Sequence, residues 1–379
     1  MKSTRLSLFV ITCLAFCTFR LAGSVPGSSS CSNNSTDPQS IRLIFVGDVM
    51  GHSMQIDGAL HDGGDSCYNY FPNFQWVKPY ISSADIAVAN LEVTFAGKPY
   101  TGYPTFSSPT SLAVALQDAG FNLLLTANNH IMDCGDIGLK QTIDVLENLG
   151  ITHTGTFKNP PAREANYPLI IQKNGFKLAF LNYTYGTNKS APKPPAIVNY
   201  IDTTRIKADL NKARESNPDF IITCLHWGDE YQQKENRKQQ EIAEFLARNG
   251  CNLIVGSHPH VVQPIKKIAS HTADSVLVAY SLGNFISNQR QRYSDGGIML
   301  DVTLTKNDDE TSLQSYRYKP IWVHRYTDNN TPVYRLIPVF DYFSNPDFYP
   351  DVPPSDEKDL IQFYRDTKKI INDEFLIPR

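Results

Sequence analysis

The sequence predicts an α/β fold, and three features of its 379 residues lead to that prediction. Short apolar runs alternate with amphipathic stretches along most of the chain, which is the order expected of βαβ units. Most of the apolar runs are continuous, as expected for strands that are covered on both faces. From about residue 297 the pattern changes to alternating segments without helices between them, which predicts a small antiparallel β extension.

Seven apolar runs are predicted to be strands and four amphipathic runs to be helices. The predicted strands are IRLIFV (41–46), DIAVAN (85–90), FNLLLTA (121–127), KLAFLNY (177–183), DFIITCL (219–225), NLIVG (252–256) and SVLVAYS (275–281). The predicted helices span 136–150, 203–216 and 236–250, and a closing helix spans 353–375. In the first of them Leu139, Ile143 and Leu146 share one face, as an amphipathic helix requires.

The first 40 residues predict a targeting segment and a linker rather than part of the fold. MKSTR is basic, LSLFVITCLAF is apolar and RLAGS offers small residues for cleavage, so residues 1–23 are predicted to be a secretory signal peptide. Residues 24–40 are rich in Ser, Asn, Gly and Pro and predict a flexible tether. We therefore expect an exported protein that is periplasmic, surface-associated or secreted. Lipid anchoring at Cys17 stays open, although Phe16 stands where a small residue is usual.

Two domains are expected after the tether, a main domain over 41–296 and a β-rich extension with the terminal helix over 297–379. The formal net charge is -3 and no long basic stripe is present, so nucleic-acid binding is not expected. The same charge does not exclude a small phosphorylated substrate.

The cysteines do not predict a metal site. The five outside the predicted signal are Cys31, Cys67, Cys134, Cys224 and Cys251. An odd number leaves at least one unpaired within the chain, and without a CxxC spacing a thiolate zinc site is not expected. Cys224 and Cys251 lie in apolar strands and are expected to be buried.

Side chains that can bind metal or substrate follow most of the predicted strands. They are Asp48, His52, Asn90, Glu92, Asn128, Asn129, His130, Asp133, His226, Asp229, Glu230, His258, His260 and Asn284. Because sites in open α/β sheets form beyond the carboxyl ends of strands, these residues are expected to converge. Oxygen and imidazole donors without sulfur suit Mn²⁺, Fe²⁺, Zn²⁺ or Mg²⁺. Two ions that share a carboxylate would use such a set well, and ion pairs of this kind hydrolyse phosphate esters.

Each of these motifs also has a purely structural interpretation. The Gly-Asp of residues 47–48 is a common turn, His226 could be a packed histidine, and the HPH of residues 258–260 could be a rigid loop. Asn129 and His130 could cap the helix that follows them. Taken together, these interpretations require five independent coincidences at equivalent strand ends.

Six motifs occur in order between residues 41 and 290, namely GDVMGH, ANLE, TANNHIMDCG, HWGDEY, GSHPHVVQP and YSLGNF. Together they resemble the CapA family of poly-gamma-glutamate capsule biosynthesis proteins, which is related to the calcineurin-like metallophosphoesterases. The resemblance implies a four-layer α/β/β/α sandwich around a site for two divalent ions. The small β extension and the closing helix would be added to that sandwich.

The resemblance also implies roles for individual residues. The implied metal ligands are Asp48, His52, Glu92, Asn129, His226, His258 and His260. The implied catalytic residues are His130, which would protonate the leaving group, and Asp133, which would brace it. Residues implied to contact substrate or to orient the ligands are Asn90, Asn128, Glu230 and Asn284. Two positions depart from the pattern of the phosphoesterases: Glu92 stands where an Asp normally bridges the metals, and His52 lies four residues after Asp48 rather than two.

These roles predict an exported, metal-dependent phosphoester hydrolase that acts in the biosynthesis of capsule, poly-gamma-glutamate or another cell-envelope polymer. The alternative is a non-hydrolytic accessory protein that binds an anionic capsule polymer and a membrane synthase complex. A third possibility is a binding module with a vestigial site, which predicts no stoichiometric metal. Four aromatic residues, Tyr68, Tyr70, Phe71 and Trp227, could stack on a substrate at the mouth of the site or pack in the core.

Overall fold

A computed structural model of the protein describes residues 39–270, 275–307 and 310–371. The predicted signal peptide lies outside the described residues, as do residues 24–38 of the predicted tether and residues 372–375 of the predicted closing helix. Gln39 and Ser40, the last residues of the predicted tether, begin the first strand. Among the described residues no helix combines the length and the apolar character that a membrane span needs.

The described residues form sixteen strands, ten α-helices and one 3-10 turn, Pro346–Phe348. The strands are β1 (Gln39–Val49), β2 (Ile86–Leu91), β3 (Leu123–Leu125), β4 (Thr152–Thr154), β5 (Thr156–Phe157), β6 (Leu169–Lys173), β7 (Phe176–Thr184), β8 (Ile197–Val198), β9 (Phe220–His226), β10 (Leu253–Ser257), β11 (Ile265–Ile268), β12 (Val276–Ala279), β13 (Asn284–Ile286), β14 (Gly296–Asn307), β15 (Glu310–Asp328) and β16 (Thr331–Pro338). The helices are α1 (Ser53–Asp62), α2 (Phe71–Phe74), α3 (Lys78–Ile81), α4 (Ser111–Ala119), α5 (Gly135–Asn148), α6 (Pro160–Asn166), α7 (Thr203–Glu215), α8 (Arg237–Arg248), α9 (Val339–Ser344) and α10 (Pro354–Ile370).

The strands form two large sheets and one small one within the described ranges. The first large sheet has the order β16-β15-β14-β1-β2-β3-β4, with β13 paired to β1, and the second has the order β11-β12-β10-β9-β7-β6. In the first sheet β1, β2, β3 and β4 run parallel, and in the second β7, β9, β10 and β12 do. The two-stranded sheet consists of β5 and β8.

Three hydrophobic cores stack these elements into four layers. Along β1, Leu43 and Phe45 point into the core between the two large sheets, whereas Ile44 and Val46 point to the opposite face. That opposite face packs against the α1–α4 region through Phe74, among other residues. The far face of the second sheet packs against α7 and α8. The order is helix, sheet, sheet, helix, so the predicted α/β class and four-layer sandwich are confirmed.

The predicted strands and helices are present, and the ends of the strands differ from the expectation by at most three residues. Local sequence fixes some helix starts. Asn236 accepts a hydrogen bond from Gln239 N at 2.8 Å, and Gln239 Oε1 accepts one from Asn236 N at 2.9 Å, which satisfies two free amides at the start of α8. Asp202 caps α7 in the same way by accepting from Arg205 N at 2.9 Å.

The β-rich C-terminal segment continues the first sheet. β14 pairs antiparallel with β1 from Gln39 opposite Lys306 to Phe45 opposite Leu300, and β15 and β16 follow. Helix α10 then packs against β15 in a separate small core that includes Trp322, Leu360 and Phe363. The expected antiparallel extension and closing helix are therefore present, whereas the expected domain boundary at residue 296 stays a prediction.

Candidate metal centre

The carboxyl ends of strands from both large sheets converge on one place. In the first sheet Asp48 at the end of β1 lies opposite both Asn90 of β2 and Asn284 of β13. In the second sheet His226 at the end of β9 lies opposite Ser257 of β10, directly before the loop that carries His258 and His260. These side chains from both sheets therefore lie together beyond the carboxyl ends of the strands, where sites in α/β sheets are expected.

A glycine allows the backbone to pass this closely. Asp48 N donates a hydrogen bond to Gly283 O at 3.0 Å. A Cβ atom on Gly47 would lie 1.8 Å from the same oxygen, well inside van der Waals contact. Glycine at position 47 is thus required for β1 to present Asp48 beside the turn that carries Asn284.

Three overlapping groups of side chains could each hold a metal ion. Among the described residues they are Asp48 with Glu92 and His260, Glu92 with His226 and His258, and Glu230 with His258 and His260. Within each group the ligand atoms lie within 4.8 Å of one another. We call the five buried members, Asp48, Glu92, His226, His258 and His260, the central cluster. Glu92, His258 and His260 each belong to two groups, and of these three Glu92 is the carboxylate, whose two oxygens allow it to be shared by two ions.

Glu92 is the residue that most needs a cation. Its side chain is fully buried, and neither carboxylate oxygen has a hydrogen-bond partner. Glu92 Oε1 lies 3.6 Å from His226 Nε2 and 3.9 Å from His260 Nε2. Burial, and after it the charge of Asp48, raises the pKa of Glu92 well above its ordinary value. A buried carboxylate without donors is costly unless a proton or a cation joins it.

Asp48 is held by donors from both sheets. Asp48 Oδ1 accepts from Asn90 Nδ2 at 2.8 Å, and Oδ2 lies 3.0 Å from His260 Nδ1. Asn284 Oδ1 lies 3.2 Å from the same nitrogen, so His260 carries its proton on Nδ1 and turns Nε2 toward Glu92. Asn284 in turn donates to Ser294 O at 2.8 Å, which fixes its orientation.

The other two histidines of the central cluster are held in the neutral form. Burial, followed by the neighbouring histidines, lowers the pKa of His226 well below its ordinary value and that of His258 to about 3. His258 Nδ1 is buried without a hydrogen-bond partner. Neutral imidazole is the form that binds metal ions. The orphaned oxygens of Glu92 and this orphaned nitrogen fit a metal centre better than a packed core.

Asn129 contacts the central cluster at His226. Asn129 Oδ1 lies 2.8 Å from His226 Nε2. Neither Asn129 nor His130 caps the following helix, because Cys134 occupies the N-cap position of α5 and no side chain caps it. The capping interpretation of these two residues is therefore wrong.

His130 and Asp133 form a buried pair beside the cluster. His130 Nδ1 lies 2.8 Å from Asp133 Oδ2, and that oxygen also accepts from Phe106 N at 2.8 Å. The edge of the Phe106 ring meets the His130 ring, with centroids 4.6 Å apart. Asn128 Oδ1 accepts from His130 N at 3.1 Å, so Asn128 positions the turn. His130 Nε2 is left facing the open side of the site.

The structure places two predicted residues at the margin. His52 belongs to none of the three candidate groups in the described part of the chain; its Nδ1 lies 3.0 Å from Gln55 Oε1 at the start of α1. Burial lowers the pKa of His52 to about 4. Glu230 is solvent-exposed and belongs only to the group with His258 and His260. Metal binding by either residue stays a prediction.

A cavity of about 420 Å³ opens beside the cluster, and we call it the site cavity. Its lining residues are Met50, His52, Tyr103, His130, Glu230, Tyr231, His260, Asn288, Gln289, Arg290 and Gln291. Tyr103 is 70% exposed and Tyr231 37% exposed at this cavity. Two of the aromatics expected at the mouth are core residues instead: Tyr70 is buried, and Trp227 is buried with its Nε1 donating to Tyr280 O at 2.9 Å.

Sequence reasoning missed three residues that contact the site. The ring of Tyr185 lies against His258, with centroids 4.6 Å apart. Asn188 N donates to Asn129 O at 2.8 Å, and Asn188 Nδ2 lies 3.3 Å from His130 Nε2. Tyr185 and Asn188 follow β7, so the same strand-end rule, applied to that strand, would have found them. Phe106 lies in a loop and carried no comparable signal.

The cysteines are consistent with this arrangement. Among the described residues Cys67, Cys134, Cys224 and Cys251 are unpaired, and the last two are buried as expected. None of them belongs to a candidate metal group in the described ranges.

Residues 42–289 match the model of a protein family described as bacterial capsule synthesis protein PGA_cap. The chain belongs to the PGA_cap family. The "PGA biosynthesis protein CapA" of Bacillus subtilis is 28% identical over 291 residues, which cover 75% of this chain and 72% of that protein. The "Capsule biosynthesis protein CapA" of Bacillus anthracis is 27% identical over 229 residues, which cover 57% of this chain and 54% of that protein. The chain thus spans about half the length of the second relative.

Comparison with solved structures gives matches at low sequence identity and with TM-scores below 0.5. The calcineurin-like phosphoesterase YfkN from Bacillus subtilis is 14% identical with a TM-score of 0.44, covering 75% of this chain and 90% of that chain. The NAD nucleotidase of Haemophilus influenzae is 13% identical with a TM-score of 0.46, covering 88% of this chain and 60% of that chain. The match to the family model confirms the predicted resemblance of the six sequence motifs to the CapA family.

Proposed function

We propose that this protein is a metal-dependent phosphoester hydrolase that acts on a phosphorylated or anionic polymer of the capsule or cell envelope. One observation carries the proposal: Glu92 is buried at the shared corner of two candidate metal groups with both carboxylate oxygens unpaired. Shared carboxylates of this kind hold the paired ions of phosphoester hydrolases.

The chain offers a ligand set for each of two divalent ions. Asp48, Glu92 and His260 would hold one, and Glu92, His226 and His258 would hold the other. Asn129 Oδ1, which lies beside His226 Nε2, would add an amide oxygen. Bound Mn²⁺, Fe²⁺, Zn²⁺ or Mg²⁺ would supply Lewis-acid stabilisation of the phosphoryl oxygens and an activated water.

His130 would transfer a proton to the leaving oxygen. Its Nδ1 is engaged by Asp133 at 2.8 Å, which fixes the ring and leaves Nε2 for that proton. Asn188 Nδ2 lies 3.3 Å from Nε2 and is itself a donor, so this amide would turn away when Nε2 carries the proton. In the overall reaction one P–O bond breaks and the water oxygen joins phosphorus. The departing alcohol oxygen takes the proton from Nε2, and the proton that the water loses passes to solvent, from which Nε2 is protonated again.

The substrate class and the location extend the proposal. The two CapA relatives are named for PGA and capsule biosynthesis, which supports an anionic envelope polymer as the substrate. The amino-terminal pattern of residues 1–23 supports export, with action at the cell surface or in the periplasm. Partnership with a membrane synthase complex belongs to the same proposal.

Metal analysis combined with an ester assay tests the proposal. The purified protein should contain about two metal ions per chain and should hydrolyse a chromogenic phosphomonoester or phosphodiester in the presence of Mn²⁺. His258→Ala should lose metal and lower kcat/KM at least about 100-fold, since it removes a ligand. His61→Ala is the matched control, because His61 lies outside the cluster and pairs with Asp328. Absence of both metal and turnover would contradict the proposal and favour a polymer-binding accessory protein.

A further inference from the structure

Two arginines without an ion-pair partner among the described residues lie where the site cavity meets a second cavity. Arg290 lines the site cavity and also this neighbouring one of about 450 Å³, which we call the outer cavity. Arg325 lines the outer cavity beside it. Both side chains are solvent-exposed, and neither forms an ion pair with a carboxylate of the described residues. We call these two residues the arginine pair.

The arginine pair is positioned by neutral partners. Arg290 Nη1 donates to Val323 O and Nη2 to Ser287 O, each at 3.2 Å. Arg325 Nη1 donates to Asn288 Oδ1 at 3.2 Å. A guanidinium carries five N–H donors, so each of these groups is held in place while donors remain for a ligand. Fixed donors lose less entropy when they bind than mobile ones do.

The two positive charges also act on each other. Partial desolvation in the recess, followed by the charge of Arg325, lowers the pKa of Arg290 to about 10. Arg290 is therefore still protonated at neutral pH, although its charge is less favourable than that of an isolated arginine. An anion between the two guanidinium groups would remove this mutual repulsion.

Most of the other charged side chains of the outer cavity have a hydrogen-bond partner of their own, although the partner of Asp295 is a neutral indole. Arg292 is bound by both carboxylate oxygens of Asp366, at 3.1 and 3.2 Å. Asp356 lies 3.0 Å from His324 Nε2, and Asp295 accepts from Trp322 Nε1 at 3.1 Å. Asp359 stays exposed at the far side. Of the three arginines that line the outer cavity, Arg290 and Arg325 are therefore the two without an ion-pair partner among the described residues.

This wall is continuous with the site. Asn288, which holds Arg325, also lines the site cavity, and its main-chain nitrogen lies 3.3 Å from His52 Nδ1. Arg290 shares the site cavity with His130 and His260. A substrate whose reacting ester lies at the central cluster would thus extend along this cavity toward the arginine pair.

We propose that Arg290 and Arg325 bind a second anionic group of the same substrate, a carboxylate or a phosphate, so that this site selects polyanions over single esters. The inference rests on the proposed function, which places the reacting ester at the central cluster. Bidentate binding of a carboxylate or phosphate by guanidinium groups is the geometry that arginine favours.

Isothermal titration calorimetry on the purified Mn²⁺-loaded chain tests the inference without requiring turnover. The two probes are a γ-linked glutamate octamer, which is rich in carboxylates, and inorganic tripolyphosphate. The double variant Arg290→Gln with Arg325→Gln should weaken the Kd of at least one probe tenfold or more. The probe that is affected identifies the second group as a carboxylate or as a phosphate. Arg317→Gln is the matched control, because Arg317 is an exposed arginine on the same strand and lines neither cavity; it should change Kd less than twofold.

A second pair of variants separates binding from folding. Arg325→Gln alone should weaken binding at least threefold, and its side chain is exposed, so a loss of folding is not expected. Arg290→Lys keeps the charge and should bind more tightly than Arg290→Gln. The inference is overturned if the wild-type chain binds neither probe, or if the double variant binds both as the wild type does.

A parallel assay with p-nitrophenyl phosphate distinguishes this inference from the proposed function. Turnover by the wild type together with unchanged probe binding by the double variant would reject the arginine subsite alone. Probe binding that depends on the arginine pair, without turnover under any divalent ion, would reject the hydrolase and retain the anion subsite of a polymer-binding protein.

Discussion

Glu92 is fully buried between Asp48, His226 and His260, and its carboxylate oxygens have no hydrogen-bond partner. The polypeptide alone therefore leaves a strongly desolvated charge at the centre of the molecule. An unsatisfied buried acceptor costs about 1–3 kcal/mol, and a charged one costs more. The chain tolerates this cost at a position where a cation would compensate for it.

We predict that Glu92→Gln stabilises the metal-free protein at neutral pH, by about 1–3 kcal/mol in the free energy of unfolding. The physical reason is that the variant removes the buried charge while keeping the volume of the side chain. Urea unfolding of the chelator-treated protein measures the change. In the presence of Mn²⁺ the wild type should instead have the higher free energy of unfolding, since ligand binding stabilises only the form that binds it.

The pH dependence of this difference has a definite sign. The pKa of Glu92 is raised in the folded protein, so the folded state binds more protons than the unfolded state above the ordinary pKa of the carboxyl. The resulting loss of stability begins as the pH rises above about 4.5, where the carboxyl of the unfolded chain ionises, and it is absent below that value. The advantage of Glu92→Gln should therefore disappear as the pH falls to 4, and an equal advantage at both pH values would contradict this account.

Individual site residues were predictable to the extent that they follow recognisable strands. Asp48, Glu92, His226, His258 and His260 come directly after apolar runs, and the fold brings them together. Arg290 could not be found in this way. It follows β13 by a few residues, and only the contact of that loop with β15 turns it toward the site cavity.

At the scale of elements, the close parallel pairing of β1 with β13 determines the position of Asp48. β13 pairs parallel with β1, placing Asp48 opposite Asn284, and Gly283 accepts the hydrogen bond from Asp48 N. The close approach of the two segments leaves no room for a side chain at Gly47. A small change in the separation of these two segments would move Asp48 relative to Glu92.

We predict that Gly47→Ala lowers the free energy of unfolding by about 1–3 kcal/mol or more and weakens metal binding as well. Its Cβ would lie 1.8 Å from Gly283 O, so the two segments must separate. Thermal unfolding and calorimetric titration with Mn²⁺ measure the two effects.

Gly186→Ala provides the matched control for this substitution. A Cβ atom at Gly186 has no heavy atom within 4 Å, and its backbone is not in the left-handed region. This variant should be within about 0.5 kcal/mol of the wild type. Equal effects of the two substitutions would show that the segments around Gly47 and Gly283 are not closely packed in solution.

The long periodic elements were predictable, and the short helices of the first layer were not. α2 and α3 have four residues each and contain Pro72 and Pro79 in their first turn. α1 carries Gly58, where a Cβ would lie 2.5 Å from Pro332 O of β16. Such segments are helical because of the sheet against which they pack, and tertiary contacts of this kind leave no periodic signal in the sequence.

At the scale of the whole molecule, the C-terminal strands complete the core between the two large sheets. Leu300, Val302 and Leu304 of β14 are buried there with Leu43 and Phe45 of β1. β14 is also the neighbour that covers one edge of β1. The strands that lead to the central cluster and the strands that follow residue 296 therefore share one core.

We predict that a chain ending at Asp295 does not unfold cooperatively. β1 would become an edge strand with uncovered backbone groups, and the inter-sheet core would lose the side chains of β14 and β15. A chain ending at Asn345 is the control, because it removes α10 but keeps β14, β15 and β16. Circular dichroism during urea unfolding separates the two; a cooperative transition in the shorter chain would show that residues 41–296 form an independent domain.

The carboxylate donors and the imidazole donors of the central cluster come from different parts of the chain. Every carboxylate of the central cluster comes from before residue 93, and every imidazole comes from after residue 225. A single cut in the connection after β7 would leave the carboxylates of the central cluster on one fragment and its imidazoles on the other. Among the described residues neither group that includes Glu92 would be complete on either fragment, whereas the second fragment would keep the group of Glu230, His258 and His260. Reappearance of tight metal binding on mixing the two would then report that the fragments had found each other.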